Sequence, residues 1–203
     1  GMECKLVPID GKTELRYRGP NITPGYWRAP EATAEAFDEE GFFCTGDAVL
    51  WVDVADKHKG LRFDGRIAED FKLATGTFVS VGPLRGRVIA GGAPYIQDVV
   101  VTGLNRHEVG ALVFPTQAVR SLVDLPPDAP FETVLKQHAV LQKFQSLVTD
   151  LSLTATGSAN RVTRLMLMAE PPSIDLGEVT DKGSINQRAV LKHRDDLVQA
   201  RYD

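Results

Sequence analysis

The sequence predicts an α+β protein in two parts: a β-rich part over residues 1–66, then a small α+β domain over residues 67–203. Two patterns predict this. In the first third, apolar and polar residues alternate with period two, as at residues 13–18, where Leu15 and Tyr17 share one side and Glu14, Arg16 and Arg18 the other. After Arg66, strand-like runs alternate with stretches of helical spacing, enough for a three-stranded sheet, a short hairpin and flanking helices.

The elements follow in order. Residues 4–9 alternate loosely, and Asp10-Gly11 supplies a turn into the strand at 13–18. Gly19-Pro20 and Pro24-Gly25 break the chain, and the Tyr26-Trp27 pair reads as core. Residues 29–37 form a short helix with Pro30 in its first turn, where a missing N–H costs nothing. A strand-pair region over 42–53, interrupted at Gly46, and a short strand over 61–65 complete the first part. In the second, residues 71–73 and 78–80 make a hairpin around Ala74-Thr75-Gly76-Thr77. Residues 83–89 are helical, ended by Gly91-Gly92. Two apolar strands, 95–103 and 109–115, are joined through Asn105-Arg106. Asp128 and Pro130 open one long helix whose apolar positions run from Phe131 to Leu151, with His138 a partly buried interruption. A polar loop over 152–160 leads to a third strand over 162–168, stopped by Pro171-Pro172. A last helix runs from Ile185 towards Arg201, and Ser184 with Gln187 reads as a capping box opening it.

Composition narrows the function. Of 203 residues, 43% are hydrophobic and 25% charged, a globular balance that excludes disordered, collagenous and coiled-coil classes. A net charge of −4 argues against nucleic acid or a membrane surface as partner. Two cysteines, Cys4 and Cys44, cannot make a disulfide framework and are expected to be small buried thiols of a cytoplasmic protein. No apolar run reaches the length of a membrane helix. There is no phosphate-binding Gly-x-x-x-x-Gly-Lys loop and no Gly-x-Ser-x-Gly elbow. His107-Glu108 starts like a zinc-binding helix, but Ala111 stands where the second histidine belongs, and no metal site is expected.

Three blocks are specific. The first runs from Gly11 to Pro20, through Gly25-Tyr26-Trp27, to Gly41-Phe42-Phe43-Cys44-Thr45-Gly46-Asp47. The second is Gly60-Leu61-Arg62-Phe63-Asp64-Gly65-Arg66, followed by Phe71-Lys72 and Gly76. The third is Thr180-Asp181-Lys182-Gly183-Ser184-Ile185-Asn186-Gln187-Arg188. In order and spacing they resemble the C-terminal third of the adenylate-forming acyl-CoA synthetases, and the third block is most similar to bacterial feruloyl-CoA synthetases. The resemblance covers nearly the whole chain. It implies a two-step reaction using ATP, Mg2+ and coenzyme A: a carboxylate becomes an acyl-adenylate, then a thioester, with the small domain moving between steps. Both steps develop negative charge that positioned cations and donors would stabilise.

Carried onto this chain, the resemblance implies that Asp47 accepts from the ribose hydroxyls and Arg66 faces ribose and phosphate. Thr45 and Gly46 would line the same nucleotide pocket. Lys72 would serve the thioester step, and Gly76 would border the channel for the thiol arm, where a glycine lets backbone approach a thin ligand. Two positions depart from the family pattern. Ala68 stands where the hinge residue is usually charged, and Ser184 stands where the adenylation lysine usually follows the glycine, leaving Lys182, ahead of Gly183, as the catalytic lysine. The upstream large domain of the same enzyme and a small carboxylic acid would be the partners. The chain alone is expected to be inactive. The departures keep two alternatives open: a non-catalytic binding or regulatory descendant of the fold, and an enzyme that loads a carrier-protein thiol.

Overall fold

The computed structural model describes residues 1–202; Asp203, the last residue of the expected second part, lies outside the described residues. The architecture is α+β, and the chain divides into two compact units, Gly1–Asp70 and Phe71–Asp203.

The first unit is a four-stranded antiparallel sheet in the order β1 (Glu3–Ile9), β2 (Lys12–Arg18), β3 (Phe43–Trp51), β4 (Leu61–Arg66), with one short helix, α1 (Pro30–Ala36). Asp10 and Gly11 join β1 to β2 with φ of 47° and 84°, the mirror-image turn whose twist matches paired strands. Residues 42–53, expected as a strand pair, form the single strand β3, which pairs with β2 on one side and β4 on the other. The expected burial of β2 is also reversed. Lys12 and Glu14, on its charged side, are buried, whereas Leu15 and Tyr17 are only half-buried. The reason is charge pairing across the sheet. Lys12 Nζ lies 2.7 Å from Asp70 Oδ2 and 3.3 Å from Asp64 Oδ2, and donates to the Asp64 carbonyl at 2.6 Å. An ammonium has three protons, and three oxygens surround it, the condition under which a charge tolerates burial.

Two smaller expectations are corrected. Trp27 is 87% exposed and Tyr26 is also exposed, because their loop is held out by Thr33, whose hydroxyl accepts from Tyr26 N–H at 2.9 Å, and Arg28 covers the Trp27 ring instead of the core. Cys4 is exposed and Cys44 half-buried. They sit on β1 and β3 with β2 between them, about 10 Å apart at ordinary strand spacing, too far for a disulfide.

The second unit opens with a hairpin, β5 (Phe71–Lys72) and β6 (Phe78–Val79), followed by α2 (Val81–Gly92). Its main sheet has the order β7 (Ile96–Thr102), β8 (Val109–Pro115), β9 (Val162–Leu167). β7 and β8 are antiparallel; β8 and β9 are parallel, linked through α3 (Phe131–Leu135) and α4 (His138–Leu153). All seven residues of β8 are buried because both faces are covered. Val109, Ala111 and Val113 face a core with Val88 of α2 and Phe144 of α4, while Leu112 and Phe114 face a second core with Ile185 and Val190. Period-two alternation therefore persists inside an unbroken apolar run.

The last two helices expected as single pieces are each broken. α3 and α4 separate at Lys136–Gln137, where Gln137 is extended, so that Val134 and Leu135 reach the same core as Val140 and Phe144 from a different direction. His138 is the exposed first residue of α4, not part of its apolar stripe. The C-terminal segment forms α5 (Gln187–His193) and α6 (Asp195–Tyr202), breaking at Arg194. The expected capping box does not form. Asn186 is the cap, its Oδ1 accepting from Ala189 N–H at 3.3 Å; Ser184 Oγ meets Thr180 Oγ1 at 2.8 Å; and Gln187 is buried, its Oε1 accepting from Val101 N–H at 3.0 Å.

Candidate functional site

In the first unit, Thr45-Gly46-Asp47 sits where β3 loses register with both neighbours. Gly46 takes φ 69°, the left-handed region that a glycine enters without a Cβ clash. The irregularity is held from β2. Thr45 Oγ1 donates to the Leu15 carbonyl at 2.5 Å and accepts from Asp47 N–H at 3.0 Å. Gly46 N–H donates to Glu14 Oε1 at 2.8 Å, and the other Glu14 oxygen takes Arg16 Nε at 2.6 Å. Arg16 continues to Asp38 at 2.9 Å, where Lys5 also arrives at 2.9 Å. These two cations, Lys5 foremost, hold the Asp38 carboxyl well below the usual carboxylate range. Glu14 is the anchor that sequence reasoning missed: it reads as a solvent-facing strand residue, yet it is 3% exposed and fixes the Gly46 backbone.

The bulge presents Asp47 opposite Arg66 across β3 and β4. Arg66 Nε lies 3.0 Å from Asp47 Oδ1, with both side chains open to solvent. The pair sets a carboxylate acceptor beside a guanidinium that meets it through Nε, leaving the terminal nitrogens for another acceptor. A carboxylate suits vicinal hydroxyls and a guanidinium suits the oxygens of an anion.

Lys72 and Gly76 lie together on the hairpin of the second unit. Leu73 to Gly76 form a turn closed by Gly76 N–H to the Leu73 carbonyl at 2.9 Å, with Gly76 at φ 80° and no atom within 4 Å of where a Cβ would stand. The hairpin is stitched to the β7–β8 connection: Asn105 N–H donates to the Lys72 carbonyl at 3.1 Å and Ala74 N–H to the Arg106 carbonyl at 2.8 Å. The Lys72 ammonium is exposed.

Lys182 lies on a separate, tighter turn. Thr180 N–H donates to the Ser184 carbonyl at 2.8 Å, Gly183 N–H to the Thr180 carbonyl at 2.8 Å, and Val179 bridges Ile185. Lys182 is thus at the tip of a small hairpin, with Gly183 at φ 77° allowing the reversal, rather than on a loop feeding directly into a helix. Among the described residues, no group of three or more His, Cys, Asp or Glu is arranged to hold a metal ion. No helix among them is long and apolar enough to cross a membrane.

Residues 70–203 match the family described as AMP-binding enzyme C-terminal domain. The chain belongs to that family. Over 97% of its length it is 27% identical to a chloroplastic long-chain-fatty-acid–acyl-carrier-protein ligase of Arabidopsis thaliana, covering 25% of that protein. It is 30% identical over 68% of its length to fatty acyl-CoA synthetase A of Dictyostelium discoideum, covering 20% of it. Among solved structures, the A domain of carboxylic acid reductase from Segniliparus rugosus, in complex with AMP and a co-purified carboxylic acid, superposes with TM-score 0.72 at 25% identity, over 98% of this chain and 31% of that one. The chain spans about a quarter of the length of the curated relatives it matches over nearly its whole length. Residues 70–203 are therefore placed, by family and by fold, as the C-terminal domain of an AMP-binding enzyme.

Proposed function

We propose that this chain provides the nucleotide-binding end and the C-terminal domain of an enzyme that activates a carboxylic acid as its acyl-adenylate and passes the acyl group to a thiol. The observation that carries the reading is the Asp47–Arg66 pair, presented by the Thr45-Gly46-Asp47 bulge ahead in sequence of the matched C-terminal domain of AMP-binding enzymes. In the first step a carboxylate oxygen bonds to the α-phosphorus of ATP and the bond to the β-phosphate oxygen breaks, releasing pyrophosphate. In the second, a thiol sulfur bonds to the acyl carbon, its proton leaves, and AMP departs.

On this reading Asp47 accepts from the ribose hydroxyls, Arg66 holds ribose and phosphate, and Thr45 and Gly46 fix the backbone beneath them. Lys182 brings an ammonium to the oxygens that gain charge during adenylation, and Mg2+ accompanies the ATP phosphates. Lys72 and Gly76 serve the thiol step, with the backbone of the exposed glycine open to a thin pantetheine arm. Residues 1–66 are the end of a large domain and 67–203 a small mobile one. The chain by itself folds without turnover, and the full enzyme works in the cytoplasm. The acid is an aromatic, hydroxycinnamate-like one on the strength of the third sequence block. Coenzyme A is the thiol of choice; the alignment with a carrier-protein ligase supports a carrier thiol as the second reading.

The test is pyrophosphate release and thioester formation by the full-length protein with ferulate, p-coumarate, benzoate and a medium-chain fatty acid, offering coenzyme A or a phosphopantetheinyl carrier protein as acceptor. Thioester from a hydroxycinnamate and coenzyme A is the expected result. No pyrophosphate with any acid would sink the ligase reading and favour a non-catalytic descendant of the fold.

A further inference from the structure

Nineteen residues separate Leu167, the end of β9, from Gln187, the start of α5, without a regular element between them. A stretch of that length usually earns its place by function. It is tied at its root by one buried ion pair. Glu178 is 1% exposed, and its carboxylate takes Arg194 Nε at 3.1 Å and Nη2 at 2.8 Å, together with Ser173 N–H at 2.7 Å. Arg194 also donates to the Glu170 and Pro171 carbonyls, at 3.1 and 2.8 Å, and its guanidinium lies over the Phe114 ring. One side chain therefore grips the stretch where it leaves the sheet and again at Glu178. The backbone of the same glutamate starts the hairpin, its carbonyl accepting from Asn186 N–H at 2.8 Å, and Ile185 is buried beside it in the second core. Lys182 stands at the tip.

We propose that Glu178 and Arg194 are positioning residues for Lys182: their buried pair fixes the direction of the Thr180–Ser184 turn and so where the ammonium is delivered. The inference rests on the reading of Lys182 as the adenylation lysine. It also explains the break between α5 and α6. Arg194 departs from helical geometry, with ψ 28°, at the residue whose side chain must reach back to Glu178. Glu178→Gln keeps the size and one acceptor but removes the charge that two guanidinium nitrogens share; Arg194→Lys keeps the charge but loses the fork.

The experiment compares Lys182→Ala, Glu178→Gln and Arg194→Lys in the full-length protein by acid-dependent ATP–pyrophosphate exchange and, separately, by thioester formation from a chemically prepared acyl-adenylate. Displacing a reacting cation by an ångström costs about a hundredfold. Glu178→Gln and Arg194→Lys should each lower the exchange kcat by about ten- to a hundredfold, with the KM for ATP within about threefold and the second half-reaction within about twofold. Should Glu178→Gln fail to fold, Arg194→Lys carries the test, since it preserves the buried charge. Equal losses in both half-reactions, or none in exchange while Lys182→Ala abolishes it, overturn the positioning role alone. Full exchange activity in Lys182→Ala overturns the lysine assignment and this inference with it.

Discussion

Lys12 is the most consequential buried charge of the first unit, and removing it has a calculable effect. Lys12→Met retains most of the volume and takes away a cation with three oxygens around it, at 2.6, 2.7 and 3.3 Å. The Asp70 side chain has no solvent exposure and Asp64 has 16%, so little water is available to replace the ammonium. Breaking a buried pair in this way costs about 3–5 kcal/mol. For a domain of this size 1 kcal/mol moves the melting temperature by about 4–8 °C, so a fall of about 12 °C or more is expected. Both tryptophans, Trp27 and Trp51, lie in Gly1–Asp70, so tryptophan fluorescence follows the melting of this unit alone while far-UV circular dichroism follows both. Lys12→Met with Asp70→Leu should recover at least half of the loss, because an apolar pair can stand in for a buried ionic one but not for half of it. A shift under about 4 °C in the single variant, or a double variant no better than the sum of its singles, would refute the view that the cluster ties the end of the unit to β2.

On the proposed reading Asp47→Ala removes the acceptors for two ribose hydroxyls, at about 1.5–3 kcal/mol for hydrogen bonds to a charged group, so AMP should bind the full-length protein about ten- to a hundredfold more weakly by calorimetry. Gly76 and Gly103 both have positive φ, at 80° and 138°, but a Cβ at Gly76 meets nothing within 4 Å whereas at Gly103 it comes 2.8 Å from the Glu108 carbonyl oxygen. Gly76→Ala should therefore cost about 1 kcal/mol and Gly103→Ala about 3 kcal/mol in denaturant titrations; equal costs would contradict the steric argument. Asp38 and Glu178 are both held below the ordinary carboxylate range, by Lys5 and Arg194 respectively. A depressed carboxyl contributes stability that is present above its unfolded-state pKa and lost as pH falls through the folded one. Both units should therefore weaken below about pH 4, with no matching loss between pH 6 and 8, and Glu178→Gln should flatten the acid dependence of the second unit.

The parts of this fold that were legible in the sequence are those decided locally. Val99 to Val101 and Val109 to Val113 are apolar runs bounded by turn residues, and they form the strands they announce. Asp10-Gly11 has the residues its turn requires. The Thr45-Gly46-Asp47 and Gly65-Arg66 blocks stand out through their resemblance to the adenylate-forming synthetases, and the fold sets Asp47 and Arg66 opposite one another across two strands. What was not legible depends on partners far along the chain. Glu14 reads as solvent-facing until Gly46 and Arg16 are folded against it, and Lys12 until Asp64 and Asp70 arrive. Neither helix break carries glycine or proline: Gln137 bends to aim α3 and α4 at one core, and Arg194 bends to reach Glu178. Trp27 looks like core material by composition, yet its loop is pinned outward by Thr33.

The bond from Val101 N–H to Gln187 has a bearing on self-association. β7 is the margin of its sheet, and a margin strand containing Val99, Val100 and Val101 offers unpaired donors and an apolar surface to any passing extended chain. Here a side-chain amide from α5 plugs one of those donors from a position 86 residues further along. During synthesis the valine-rich strand exists well before its plug does, so protection against strand addition arrives late, with the C-terminal helices. Shortening the chain at this end would leave the sheet largely assembled and its margin open, and the consequence would be aggregation rather than simple unfolding.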